Sequence, residues 1–245
     1  MNLPRPHWVG VAAGLSLAAA LIASTMLVTS AWLRIAESQN ITVTGSARKM
    51  VHSDLIIWRG SFSVEGATLL EAQRGLKRDL EKVEAFLAAK SFTNFSTSPI
   101  SIQELRSRQK TEDGSFQDKA AGFRLSQSVE LRSPEVERTL QLSRDSTSLV
   151  ELGVVFATGA PEFIYTKAGE AKVEMLAEAT KDARARAEQI AGQGGRRVDH
   201  LRSARMGVFQ ITPLHSLQTS WEGLNDTSSL EKTVSAVVTA TFAMK

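Results

Sequence analysis

The stretch KDARARAEQIAGQGGRRV, Lys181 to Val198, places four arginines and a lysine beside three glycines. Basic residues next to glycine suit phosphate chemistry, on a nucleotide or on a nucleic acid. A phosphate-binding glycine loop works because it precedes a helix, where free N–H groups and the positive end of the dipole face the anion. Here the helical pattern comes first, and Gly192, Gly194 and Gly195 follow it. That end presents free carbonyls, so the glycines read as a C-terminal cap in which one residue turns left-handed. The arginines are matched locally. Asp182 stands four residues before Arg186 and Glu188 four after Arg184, the spacing of helical ion pairs. Arg196 and Arg197 lie past the helix end, where cations favour the dipole. A nucleic-acid surface needs clustered, unmatched bases interleaved with aromatics. This stretch has none, and no nucleic-acid partner is expected.

The four histidines, His7, His52, His200 and His215, have no His, Asp or Glu three or four residues away, the spacing a helical metal site uses. His52 and His200 read as surface or strand-edge residues. The chain has no cysteine, which excludes disulfides, thiolate nucleophiles and Cys-ligated metal centres. It has no G-x-S-x-G elbow, no S-x-x-K, no P-loop and no dinucleotide-binding glycine fingerprint. The expectation is therefore no enzyme, no cofactor and no metal. The excess charge of +3 over 245 residues permits an anionic partner without demanding one.

The elements that would carry any site begin with an apolar one. From Trp8 to Leu33 no residue is charged, and a helix of that length spans about 39 Å, enough for a hydrocarbon core of about 30 Å. Trp8 and Trp32 sit at its ends, where interfacial aromatics belong. The run exceeds the roughly 7–15 apolar residues of a cleaved signal peptide, so residues 1–35 read as a retained transmembrane anchor in contact with the bilayer through 8–33. A short, positively charged leading tail predicts the N-terminus inside and the body outside. Gly10, Gly14 and Ala18 form a stripe of small residues four apart, a candidate helix–helix contact.

Residues 36–245 read as an α+β body of antiparallel sheets covered by helices. In DLIIWRGSFSVEG, Trp58, Gly60, Phe62 and Val64 alternate with polar residues, the period of a half-buried strand. Residues 68–90 switch to helical period through Ala72, Leu76, Leu80, Val83 and Leu87. Extended stretches over 94–109 and 120–132 flank the Asp113–Gly114 hairpin signal. A second helix is predicted over 134–147, a short apolar strand at VELGVVFATG, an extended EFIYTK and a third helix over 169–191. Strands follow near 197–211 and 232–244. On the third helix Val173, Leu176, Ala177, Thr180, Ala183, Ala187, Ile190 and Ala191 are expected to form the buried stripe. Strand–helix–hairpin occurs twice, around the first and third helices of the body, which predicts two βαββ-like units joined by the middle helix.

Residues 212–230 show no period. Long loops without structure of their own in compact domains are usually functional or disordered. This one holds Leu214, Leu217, Trp221 and Leu224 among polar residues, which is interface chemistry. Trp221 either meets a second copy of the chain or folds back onto its own domain.

The chain resembles the SIMPL-domain family of bacterial periplasmic and envelope proteins. The resemblance rests on ITVTGSA, DLIIWRGSFSVEG, FRLSQSVELRS, LVELGVVF, EATKDARARAEQIA with its glycines, ARMGVFQITP and EKTVSAVVTATFAM, in that order across residues 41–244. It departs from the family at AKSF after the first helix of the body and at GGRRVDHL after the third. The resemblance implies an α+β body, export and, in some members, ring-like homo-oligomers, and it implies no catalytic residues. The first functional reading is thus a single-pass inner-membrane protein with a periplasmic body, assembling with itself as a structural element or scaffold. A periplasmic module binding a small ligand or partner is the alternative.

Overall fold

A computed structural model of the chain describes residues 8–36, 40–110, 116–216, 218 and 220–245. Helix α1 (Trp8–Ala36) is followed by strands β1 (Asn40–His52) and β2 (Leu55–Gly66), helix α2 (Leu69–Ala89), and strands β3 (Phe95–Thr97), β4 (Ser101–Lys110) and β5 (Phe116–Ser133). Helices α3 (Val136–Asp145) and α4 (Ser148–Glu151) precede the short strands β6 (Phe156–Thr158) and β7 (Glu162–Ile164). Helix α5 (Ala168–Gln193) and strands β8 (Val198–Met206), β9 (Gln210–Pro213) and β10 (Glu231–Met244) complete the order. The chain divides into two compact units. One comprises Met1–Ala47, Leu176–Gly207 and Ala236–Lys245; the other comprises Arg48–Met175 and Val208–Ser235.

In the larger unit β5, β2 and β6 lie side by side, with β3 and β4 on the outer side of β5 and β7 beside β2, all antiparallel. The period of two in β2 does what it implies: Trp58 and Phe62 are buried with Leu125, Val129 and Leu131 of β5. Trp58 keeps its indole N–H satisfied by donating to Thr158 Oγ1 at 2.8 Å, as a buried tryptophan must. Helix α2 is started by Thr68, whose hydroxyl accepts from the Glu71 N–H. It buries Ala72, Leu76, Val83 and Leu87 against the sheet. Gly75, which lowers helix propensity by about 1 kcal/mol relative to alanine, lies on that buried face. A Cβ there would come within 2.7 Å of Val64 Cγ1, so the residue that weakens the helix lets it approach the strand.

In the smaller unit the sheet order is β1–β10–β8, under α5. The Thr42–Thr241 and Thr44–Thr239 hydroxyl pairs, 2.9 and 3.3 Å apart, fix β1 antiparallel to β10 on the face away from the helix. On the helix face Val43, Val238, Ala240 and Phe242 pack on Ala179, Ala183 and Ala187. Gly45 sits where β1 meets α5: a Cβ there would lie 2.2 Å from the Ala179 carbonyl oxygen and 2.4 Å from the Ala183 nitrogen. Beside it the Ser46 N–H donates to Asp182 at 2.8 Å. This bond, and then Arg186, hold the Asp182 carboxyl below its usual range.

Both βαββ-like units are present, with strand orders β2–β5–β4 and β1–β10–β8. The second takes its first strand from β1. The order along the chain, strand–helix–hairpin, predicts a strand from the apolar run just before the third helix. That run instead gives α4 and the three-residue β6, and both β6 and β7 pair with β2. The predicted 134–147 helix is shorter, Val136–Asp145, and the strand predicted over 197–211 is two, β8 and β9. The Asp113–Gly114 turn lies outside the described residues.

The buried stripe of α5 also differs. It runs Ala171, Met175, Ala179, Ala183, Ala187 and Ala191, while Val173, Ala177 and Ile190 are exposed. A strict four-residue step drifts about 40° per repeat at 3.6 residues per turn, so the contact line winds around the helix. The expected fixed stripe does not. Arg184 and Arg186 make the anticipated pairs with Glu188 and Asp182, each at 2.9 Å. The helix closes as its glycines imply. Gly195 is left-handed at φ 70°, its N–H donates to Gly192, and the Arg196 N–H reaches back to the Ala191 carbonyl at 2.8 Å.

Candidate oligomer interface

From Ser220 to Leu230 the segment before β10 is held by short-range polar chemistry that leaves no period in the sequence. Asp226 is its hub. Its carboxylate accepts from the Ser228 hydroxyl at 2.6 Å, from the Ser228 and Ser229 N–H groups at 3.0 and 3.2 Å, and from Lys232 Nζ at 3.0 Å. Burial alone would raise the Asp226 pKa; these donors outweigh it and hold the carboxyl at about 2. Lys232 is fully buried, on the inward side of β10, and also donates to the Asp226 carbonyl at 2.5 Å.

Backbone bonds complete the frame. The Ile211 N–H donates to Leu224 O, the Asp226 N–H to Ile211 O, and the Phe163 N–H to Thr227 O. The Ser220 N–H donates to the Gln210 side chain at 3.3 Å.

This frame sorts the residues the sequence singled out. Leu214 and Leu224 are half-buried in their own unit. Leu217 lies outside the described residues. Trp221 is 84% exposed, so it does not fold back onto its own domain. An indole held out on a tethered loop is the anchor type that dominates protein interfaces. The residues that follow it, 222–227, line a cavity of about 350 Å³ together with Ile164, Tyr165, Phe209 and Ile211. The sequence reading missed Tyr165, which comes from a segment more than forty residues before the loop, and Phe209, which stands just before β9. It also missed the Asp226–Lys232 pair. Two signals were available for that pair: Asp226 followed two residues on by Ser228, the pattern of a side-chain-capped turn, and Lys232 on the inward parity of Val234, Ala236 and Val238.

In α1, Gly10, Gly14 and Ala18 are exposed, and apart from the helix's own nearby backbone nothing among the described residues lies within 4 Å of a Cβ built at either glycine. Gly10–Leu33 forms a 24-residue stretch of mean hydropathy 2.1, long and apolar enough to cross a membrane. His52 and His200 are exposed and stand 3.5 and 3.0 Å from Glu231 and Asp199. Among the described residues no three His, Asp or Glu side chains gather as a metal site would require.

The SIMPL family model, described as a protein of unknown function (DUF541), matches residues 41–242, nearly the whole body. The chain belongs to the SIMPL family. The match takes in nearly all of β1 and β10, the two strands that carry Gly45 and Lys232. No curated protein matches the chain. Among solved structures, an amidase of the hydantoinase/carbamoylase family from Burkholderia phymatum is 10% identical with a TM-score of 0.25, covering 56% of this chain. The SIMPL chain spans only 35% of that amidase. An uncharacterized conserved protein from Listeria innocua is 11% identical, with a TM-score of 0.21 over 78% of this chain and 91% of its own. The de novo designed protein Foldit4 is 10% identical, with a TM-score of 0.18 over 43% of this chain and 93% of its own. Likenesses at these TM-scores identify neither a shared fold nor a shared activity.

Proposed function

We propose that this SIMPL protein is a single-pass inner-membrane protein whose periplasmic body assembles with copies of itself, as a structural or scaffolding element and not as an enzyme. The observation that carries the reading is Trp221, exposed on a loop tied down by Asp226, Lys232 and backbone bonds. A large apolar ring held in water on an ordered support gains most when a partner covers it. A second copy brings the cavity lined by residues 222–227, with its apolar wall of Ile164, Tyr165, Phe209 and Leu224. The outer strands β4 and β8 carry Arg106, Arg108, Arg202 and Arg205, and charged edges resist indiscriminate strand pairing. The loop therefore supplies the specific contact. Anchors crossing one membrane share an orientation, which favours a closed ring about the membrane normal over an open chain.

Because the chain has no cysteine, a single one reports cleanly. Glu222→Cys, next to Trp221, treated in membranes with a short bismaleimide, is expected to give covalently paired chains; single chains alone would contradict the interface. Retention of α1 is checked by the intact mass of the membrane fraction. The full 26.6 kDa chain is expected, and a mature chain beginning near Trp32 would contradict the anchor.

A further inference from the structure

A cleft of about 780 Å³ opens in the larger unit where the sheet loses a strand. β6 runs beside β2 only from Gly60 to Phe62, and the last rung is the Ser63 N–H donating to Val155 O at 3.2 Å. Upstream, the chain leaves the sheet at Gly153, whose φ of 80° is left-handed, and turns into α4. Along β2 the odd residues aim their backbone groups at β6: Arg59 O accepts from the Gly159 N–H, and Ser61 pairs with Ala157. By the same alternation Glu65 turns its N–H and C=O to that side, where β6 no longer runs. The slot beside Glu65 is an open sheet edge inside a cleft.

The walls are cationic. Arg78, Lys82 and Arg124 face two carboxylates, Glu65 and Asp79. Arg124 Nε pairs with Glu65 at 2.8 Å. Lys82 is held 3.3 Å from Asp79 and donates to Leu152 O at 2.9 Å. Arg78 has no carboxylate within 4 Å among the described residues. The floor is Val64 against Gly75.

We infer that this cleft takes an extended peptide bearing carboxylates, which adds as a strand antiparallel to β2 in the place β6 vacates and sets an acidic side chain or its C-terminus against Arg78 and Lys82. The open edge selects an extended backbone, and the surplus cation selects its charge; strand addition with a pocketed side chain is an established recognition mode. The site is separate from Trp221 and does not depend on assembly.

The test uses the full chain in mild detergent and a fluorescein-labelled peptide, Val-Glu-Val-Glu-Val-Glu, read by anisotropy. Saturable binding is expected, weakened about tenfold or more by Arg78→Ala, a change on the exposed side of α2, and by a similar factor when alternate peptide amides are N-methylated. The Val-Lys counterpart should not compete. Absence of saturable binding, binding unaffected by Arg78→Ala, or equal competition by the Val-Lys peptide would each overturn the site. Equal competition by succinate or by the N-methylated peptide would overturn the strand addition, because a carboxylate alone would then suffice.

Discussion

Replacing Gly45 with alanine is expected to destabilise the SIMPL body by about 3 kcal/mol or more, the upper range for forcing atoms into a packed contact. The added carbon meets backbone, the Ala179 carbonyl oxygen at 2.2 Å and the Ala183 nitrogen at 2.4 Å, and neither can rotate aside. β1 must withdraw from α5, and the bond from the Ser46 N–H to Asp182 goes with it. Gly192→Ala is the control. It lies within α5, with nothing within 4 Å of its added carbon, and should be neutral or stabilising by up to about 1 kcal/mol. Urea unfolding of both variants decides the point. Equal midpoints for Gly45→Ala and the parent would mean that the strand–helix contact is looser than described.

The second large effect is expected at Lys232. Lys232→Met keeps the length of a fully buried side chain and removes its charge, leaving the Asp226 carboxylate without its cation. Breaking a buried pair from one side costs about 3–5 kcal/mol, and Lys232→Met with Asp226→Asn should recover much of it. The pair also predicts a pH dependence. The Asp226 carboxyl sits at about 2 against an ordinary 3.8. Its folded pKa is depressed, so the stability it contributes is fully present above pH 4 and is lost as pH falls through 2. A gap of that size corresponds to about 2 kcal/mol. In the parent, unfolding free energy should fall across that window, and in Asp226→Asn the fall should be smaller by that amount. An identical acid profile in the two proteins would contradict the role of Asp226.

The sequence made the helices and the inward faces of β2, α2 and β10 legible because their apolar residues repeat at 2.0 or 3.6. Thr68 with Glu71, and Gly192 to Gly195, marked helix ends through capping chemistry that acts within a few residues. Pairing between distant segments was not legible. Nothing near α5 announces that its first strand is β1, because the contact depends on Gly45, more than a hundred residues earlier, lacking a side chain. The drift of the α5 stripe was hidden for a related reason: alanine is small enough to be buried anywhere along a winding contact, so composition did not fix the face. At the candidate interface the anchor was legible as an isolated tryptophan among polar residues. Its exposure was not, since that follows from the Asp226 hub and from the bonds Ile211 makes to Leu224 and Asp226.

The central claim, self-assembly through the Trp221 loop, is tested most directly by the mass of the full chain in mild detergent, measured by light scattering with the detergent contribution subtracted, for the parent and for Trp221→Ala. The parent is expected at one defined multiple of 26.6 kDa, and Trp221→Ala, which removes a ring that is 84% exposed, at a smaller mass. A parent that scatters as a single 26.6 kDa chain, or a Trp221→Ala variant that keeps the parent's full mass, would contradict it.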